Sequence, residues 1–440
     1  MRCTDVPSVF SKANAIAIAV AFTGIAAQIS KGGRTFNSRF KFPIKHDKRS
    51  TCNVPKQSGL AKLIKMAKVI VWDEAPMGHN DLLESLDRLL QDLMGNNEPF
   101  GGKVVILGGH FAQLPTVLPK ASRAQIISAS LKKSYFWSKF KVVQIKENMR
   151  VLNNGNDPKL MEFDKWLEQL GEGKVPYIDD HSSAIELPQE LCSEINNNTL
   201  DSSIKEAMAF GFTNLKEKSS SPDWMEHVSS RAILATTNEM VDRINDICLD
   251  ELPGEEITLA SGDSTADPND ATHYQVEYIN TLQASGMPSH KLKVKKNAVV
   301  MLLRNLSING GLCNGTRLII EDVINDRLIR AKIATGKCKG KTVLIPKIIT
   351  QPADDTSFGF EWRRLQFPIR LAFSFTIHKA QGQTLSKVAV WLQEPCFGHG
   401  QFYVAASRVG NPDNIKFFLP KEKDQSNFTT HNVVYQELLQ

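Results

Sequence analysis

Two acidic residues stand side by side at the end of an apolar run in VIVWDEAPM, Val69 to Met77. A run of Val, Ile, Val and Trp reads as a strand buried on both faces, as in parallel sheets. Such a strand delivers Asp73 and Glu74 to a sheet edge, and Pro76 punctuates the turn that follows. A carboxylate pair there suits phosphoryl transfer, which depends on positioning and charge neutralisation. The plainer reading is that Asp73 caps the next helix.

Phosphoryl transfer also needs a cradle of backbone N–H groups, commonly G-x-x-x-x-G-K-[ST] between a strand and a helix. One near match exists, GKCKGKT from Gly336 to Thr342. It has three residues between its glycines where four are needed, and β-patterned runs flank it. It therefore reads as a hairpin turn with Lys341 in solvent. The expectation is a first domain that is incomplete at its N-terminus, with no phosphate-binding loop.

The elements around Asp73 and Glu74 alternate. Ala15 to Ala27, AIAIAVAFTGIAA, reads as a buried strand with a turn at Thr23-Gly24. It resembles a signal-peptide core, but it is short of the ~20 apolar residues that span a bilayer, and Asp5 spoils a positive leader. A cation-rich loop follows, with Phe36, Phe40 and Phe42 interleaved among Arg34, Arg39 and Lys41. Gln57 to Ala67 has helical spacing, Asn80 to Met94 carries a leucine stripe at the helical period, and Val104 to Leu107 reads as a strand. The pattern predicts α/β architecture with a parallel sheet. Residues 1–155 form the first domain in this reading, and 156–230 a connector with peripheral helices. Arg231 to Leu249 opens a second α/β domain over 231–440, and short β-rich runs at about 294–352 predict a small β-barrel inserted in it.

Bulk composition narrows little. The chain has 440 residues, 42% apolar and 23% charged, with a net charge of +6 that permits a nucleic-acid partner without demanding one. Seven scattered cysteines with no C-x-x-C read as reduced thiols, which argues against a disulfide frame or a zinc site.

AFTGIAA (from Ala21), GGRTFNSRF (from Gly32), WDEAPM (from Trp72) and GGHFAQLP (from Gly108) resemble the Pif-type superfamily-1 DNA helicases. ENMR, ILATTNE, LCNGTRL, FTIHKAQGQTL and YVAASRV continue the likeness in order over nearly the whole chain. The nearest flavour is the eukaryotic branch that includes Helitron transposon helicases. The resemblance implies two RecA-like parallel-sheet domains with an SH3-like barrel in the second. It implies an ATP- and Mg²⁺-dependent 5′-to-3′ helicase acting on single-stranded DNA and duplex junctions. Repair, recombination and telomere maintenance, no membrane, a monomer and nuclear or mitochondrial residence go with it. An ATPase-dead, single-stranded-DNA-binding remnant of a transposon-derived helicase is the alternative.

By the same resemblance Asp73 holds Mg²⁺, Glu74 orients the attacking water, and Gln113 senses the terminal phosphate. Arg150 and Arg408 reach that phosphate across the interdomain cleft, although a surface salt bridge is the ordinary reading of a lone arginine. Thr23 and Gly24, with His378, Lys379, Gln381, Gly382 and Thr384, contact the DNA backbone. The Phe36–Phe42 loop either stacks on unpaired bases or belongs to the core. His110 stands where the family has Asp, Ala112 where it commonly has Arg, and Ala406 where it has Leu.

Overall fold

The structure, a computed structural model, describes residues 15–43, 46–145, 157–179, 182–352, 358–421 and 427–440. The first domain begins with β1 (Ala17–Ala21), α1 (Gly24–Ile29), β2 (Arg34–Thr35) and α2 (Phe36–Phe40). It continues with α3 (Gly59–Met66), β3 (Val69–Asp73), α4 (Asn80–Met94) and β4 (Val104–Leu107). The four strands make a parallel sheet in the order β2-β1-β3-β4. Ser58 caps α3 by accepting the Ala61 N–H. The His79 ring caps α4, which ends at Gly95 with φ 70°. The leucine stripe of α4 is buried against the sheet together with Ile70 and Trp72. β4 is the sheet's outer strand, and Val104 there is 58% exposed.

The aromatic loop resolves in favour of the core. Phe36, Phe40 and Phe42 are buried, and Phe36 lies 4.4 Å from the Trp72 ring, so these rings do not present a stacking platform for bases. The chain after Thr23 is a short helix where a turn was expected.

The second domain contains α5 (Pro158–Glu172), β5 (Ala184–Glu186), β6 (Cys192–Glu194), α6 (Leu200–Gly211), β7 (Arg231–Ala235) and α7 (Asn238–Glu251). Next come β8 (Ile257–Ala260), β9 (Gly262–Thr265), β10 (Lys291–Val294), β11 (Val299–Leu302), β12 (Arg317–Ile324) and β13 (Leu328–Ile333). β14 (Thr342–Pro346), β15 (Ile348–Thr350), β16 (Trp362–Gln366) and β17 (Ile369–Leu371) follow. β18 (Ser374–Thr376), α8 (Ile377–Ala380), β19 (Lys387–Trp391), α9 (Gln401–Ala406), β20 (Ile415–Leu419) and β21 (Thr429–His431) close the domain. Its parallel sheet has the order β18-β7-β19-β20-β6. The strand β6 places residues 192–194 in this sheet, inside the stretch read from sequence as a connector. The insertion is likewise wider than 294–352: β8, β9 and β10 precede that range, and β16 and β17 follow it. Its five-stranded antiparallel sheet, β14-β13-β12-β11-β17, shares one core with the parallel sheet. The Gly336–Thr342 stretch joins β13 to β14 as the expected hairpin.

The buried Arg317 of β12 bolts the insertion to the domain. Its guanidinium donates to the carbonyls of Val228, Ser229 and Arg231, which end the helix Trp224–Ser229 and start β7. Full burial pushes its pKa down to about 10. A separate small core around Trp362, Ile279 and Met287 holds the buried Arg364–Asp263 ion pair. No helix among the described residues is long and apolar enough to cross a membrane.

Candidate functional site

Register fixes the first half of the site. Ala21 at the end of β1 lies opposite Asp73 at the end of β3, so Thr23 and Glu74 leave the sheet side by side. Thr23 accepts the Ala26 N–H at 3.2 Å and thereby caps α1. Its two donors turn the other way: the hydroxyl donates to Glu74 Oε2 at 2.7 Å and the backbone N–H to the same oxygen at 3.2 Å. Glu74 adopts φ 54°, a left-handed conformation that non-glycine residues seldom hold without compensation. Its second oxygen, Oε1, is buried with no hydrogen-bond partner among the described residues.

Burial is the main cause that raises the Glu74 carboxyl above its ordinary pKa. The Thr23 bonds pull it back, the Asp73 charge adds to the rise, and the Arg408 charge opposes it. Burial raises Asp73 as well, against the pull of the Glu74 N–H, which donates to Oδ1 at 3.0 Å.

The second domain supplies the facing wall. Gly382 has φ 74°, and a Cβ there would stand 2.2 Å from Glu74 Oε1. Gln381, 6% exposed, donates through Nε2 to Gln113 Oε1 at 3.2 Å, which joins the two domains. Arg408 donates to the carbonyls of Val404, Ala380 and Gln383 and to Ser407 Oγ. It therefore holds the α8 turn against α9, and its charge reaches Glu74 from there.

Two contacts that the sequence did not signal complete the seam. His399 Nδ1 accepts the Tyr435 N–H at 2.8 Å, so the ring proton sits on Nε2 and is donated to the Phe111 carbonyl at 2.8 Å. Gly400 lies so close to the first domain that a Cβ would stand 2.3 Å from the Ala112 carbonyl oxygen. His110, in the position of the family's Asp, meets the Tyr403 hydroxyl through Nδ1 at 3.2 Å.

The remaining expected residues spread outward. His378 is lowered in pKa by burial and lies 6.3 Å, ring to ring, from the exposed Phe397. Burial first, then the neighbouring Arg370, lower Lys379 to about 8, with Asp242 opposing. Thr384 is exposed, and Gly24 packs against Cys313 of the insertion. Arg150 lies outside the described residues.

For metal, Asp73 is the carboxylate at the seam. Among the described residues one further group, His46, His79 and Asp81, brings possible ligand atoms within 4.8 Å. There His79 Nδ1 already accepts the Asp81 N–H as the cap of α4.

Two family models match the chain: PIF1-like helicase over residues 4–181, and the 2B domain of DNA helicase Pif1 over residues 277–323. The ATP-dependent DNA helicase Pif1 of Psychrobacter is 24% identical over 90% of this chain and 60% of its own length. The zebrafish PIF1 helicase is 26% identical over 90% of this chain and 53% of its own length. The chain thus spans little more than half the length of these relatives. A Bacteroides Pif1 solved with single-stranded DNA superposes with a TM-score of 0.63 at 22% identity, covering 94% of this chain and 85% of that one. Candida albicans Pif1 gives 0.59 at 24% identity, covering 94% and 86%. These superpositions show a shared fold.

Proposed function

The chain belongs to the PIF1-like helicase family, and from that premise we propose that it forms the motor of an ATP-dependent DNA helicase. In this reading it moves 5′ to 3′ on single-stranded DNA and opens duplex junctions, as a monomer, in the nucleus or the mitochondrion. The observation that carries the proposal is the position of Glu74: Thr23 of one parallel-sheet domain grips it, and Gly382 of the other covers it. A carboxylate shared by two such domains is placed to sense whether they are closed.

The fit to a nucleotide is partial. Glu74 has one carboxylate oxygen without a partner beside Asp73, which suits the side of the site where water and Mg²⁺ are held. Bound ATP with Mg²⁺ would supply the phosphoryl group and the charge that holds it. Asp73 would hold the metal through water, Glu74 would orient the attacking water, and Gln113, tied to Gln381, would report domain closure. The described residues include no glycine-rich phosphate cradle, so no step is assigned to one. DNA phosphates would lie along Thr23, Gly24, His378, Lys379, Gln381, Gly382 and Thr384, giving salt-dependent binding without sequence preference. Repair, recombination and telomere maintenance are the settings this reading suggests.

A second reading is a protein that grips single-stranded DNA without hydrolysing ATP. The Glu74 carboxylate, already bound by both Thr23 donors, favours it. ATP hydrolysis measured with and without single-stranded DNA, beside Glu74→Gln, decides between them. DNA-stimulated turnover that disappears in the variant supports the motor, and silent but salt-sensitive DNA binding supports the grip. A chain that does neither refutes both.

A further inference from the structure

We infer that Thr23 is a latch on Glu74, and that single-stranded DNA opens it by taking the same two donors. The inference rests on the proposed function in placing a DNA phosphate at Thr23; the competition itself follows from the geometry.

The Thr23 hydroxyl has one proton and its backbone N–H has one, and both are directed at Glu74 Oε2, at 2.7 and 3.2 Å. Hydrogen bonds to a charged acceptor are the strong kind, so Glu74 is held while nothing else claims the donors. A phosphate oxygen arriving at Thr23 needs the same protons. Two anions cannot share them, because like charges at that separation repel. Either the phosphate stays away or the carboxylate leaves.

The surroundings make departure feasible. The cap on α1 uses a lone pair of the Thr23 oxygen, so the latch can open without unwinding that helix. Oε1 has no partner to give up. On its other side Oε1 rests against Gly382, where a Cβ would lie 2.2 Å away. A swing of Glu74 toward Gly382 would press on α8 and the turn after it, which carry His378, Lys379 and Gln381. One event on the DNA side would free the carboxylate and move the wall facing it. Thr23 is then a positioning residue, acting on hydrolysis through Glu74.

The test separates charge from latch. Glu74→Gln and Glu74→Ala both remove the negative charge, but only Gln leaves an oxygen for the Thr23 donors. Binding of a labelled oligothymidylate is measured by fluorescence anisotropy at fixed salt on the full chain. Competition predicts that Glu74→Ala binds about five- to tenfold tighter than Glu74→Gln, the worth of two hydrogen bonds to a neutral acceptor. Equal affinities in the two variants overturn the latch and leave the DNA-binding proposal standing. No binding by the wild-type chain overturns that proposal and the latch with it.

If Glu74→Ala fails to fold, the wild-type chain decides by infrared spectroscopy. The Glu74 carboxylate stretch, assigned by its loss in Glu74→Gln, must shift when the oligonucleotide binds. Thr23→Ser must preserve that shift. A band that stays in place while anisotropy reports bound DNA refutes the latch.

Discussion

Replacing Gly400 by alanine tests the closeness of the two domains. Gly400 has φ 68°, where an L side chain costs about 1–2 kcal/mol. The new Cβ would stand 2.3 Å from the Ala112 carbonyl oxygen and 2.9 Å from the Gln113 carbonyl carbon. Both are backbone atoms, so no rotamer change relieves the clash. Ordinary contact begins at 3.4 Å, so the two backbones must part by about 1.1 Å. The bond from His399 to the Phe111 carbonyl, now 2.8 Å, and that from Gln381 to Gln113, now 3.2 Å, both stretch beyond hydrogen-bonding reach. At about 1 kcal/mol each, their loss brings the total to ~3–4 kcal/mol. Urea denaturation followed by tryptophan fluorescence and circular dichroism measures it, with the two probes compared because two domains need not unfold together. Gly398→Ala is the control, since its nearest neighbour, Gln401 Oε1, is 3.8 Å away and its φ is unremarkable. A Gly400→Ala protein within about 0.5 kcal/mol of wild type, and no worse than the control, would falsify the tight seam.

Four further outcomes follow from the same structure. Lys379 is charged below a pKa of about 8 and loses its charge above it, so DNA affinity should fall between pH 7 and 9. Lys379→Gln should remove that fall and lower the salt slope by about 1, as measured by anisotropy titrations. Asp263→Ala strands the buried Arg364 and should cost about 3–5 kcal/mol, while Asp263→Leu with Arg364→Met should recover most of it in thermal melts. Burial, with Arg231 and Lys218 adding, lowers His227 to about 4, so its folded value lies below the unfolded ~6.5. The unfolded chain then binds the extra proton first, and stability should drop as pH falls from about 6.5 to 4; His227→Phe should flatten that limb in pH-dependent melts. Phe36→Ala should cost about 3–5 kcal/mol yet leave DNA affinity unchanged at temperatures where the protein stays folded.

The parts legible in the sequence were those with a local period. The apolar run of β3, the leucine stripe of α4 and the strand-helix alternation each declare themselves within about fifteen residues, and Asp73 and Glu74 inherit their position from the run before them. β6 was not legible, because Cys-Ser-Glu has no strand pattern and enters the sheet only by pairing with Phe417 to Leu419. The rings of Phe36, Phe40 and Phe42 sit among cations in the sequence, and only the position of Trp72 places them inside. The edges of the insertion were missed for a similar reason: β9 pairs with β16 about a hundred residues later. Thr23 was singled out, but its grip on Glu74 depends on the β1–β3 register, which no local pattern encodes.

The pairing of β6 with β20 also sets an order of assembly. The described strands of the first sheet have all been made once residue 107 exists, whereas the second sheet needs Cys192 to meet Phe417. On a ribosome the first domain can fold early, while β6 and the faces of β19 wait for almost the entire chain. Until then β19, Val388 to Trp391, lacks its neighbour on one side, and β7, Ala232 to Ala235, waits for β18 and β19. Chaperone demand during synthesis should therefore concentrate on the second domain, and a chain released before Ile415 should be held or degraded although its first domain has already formed.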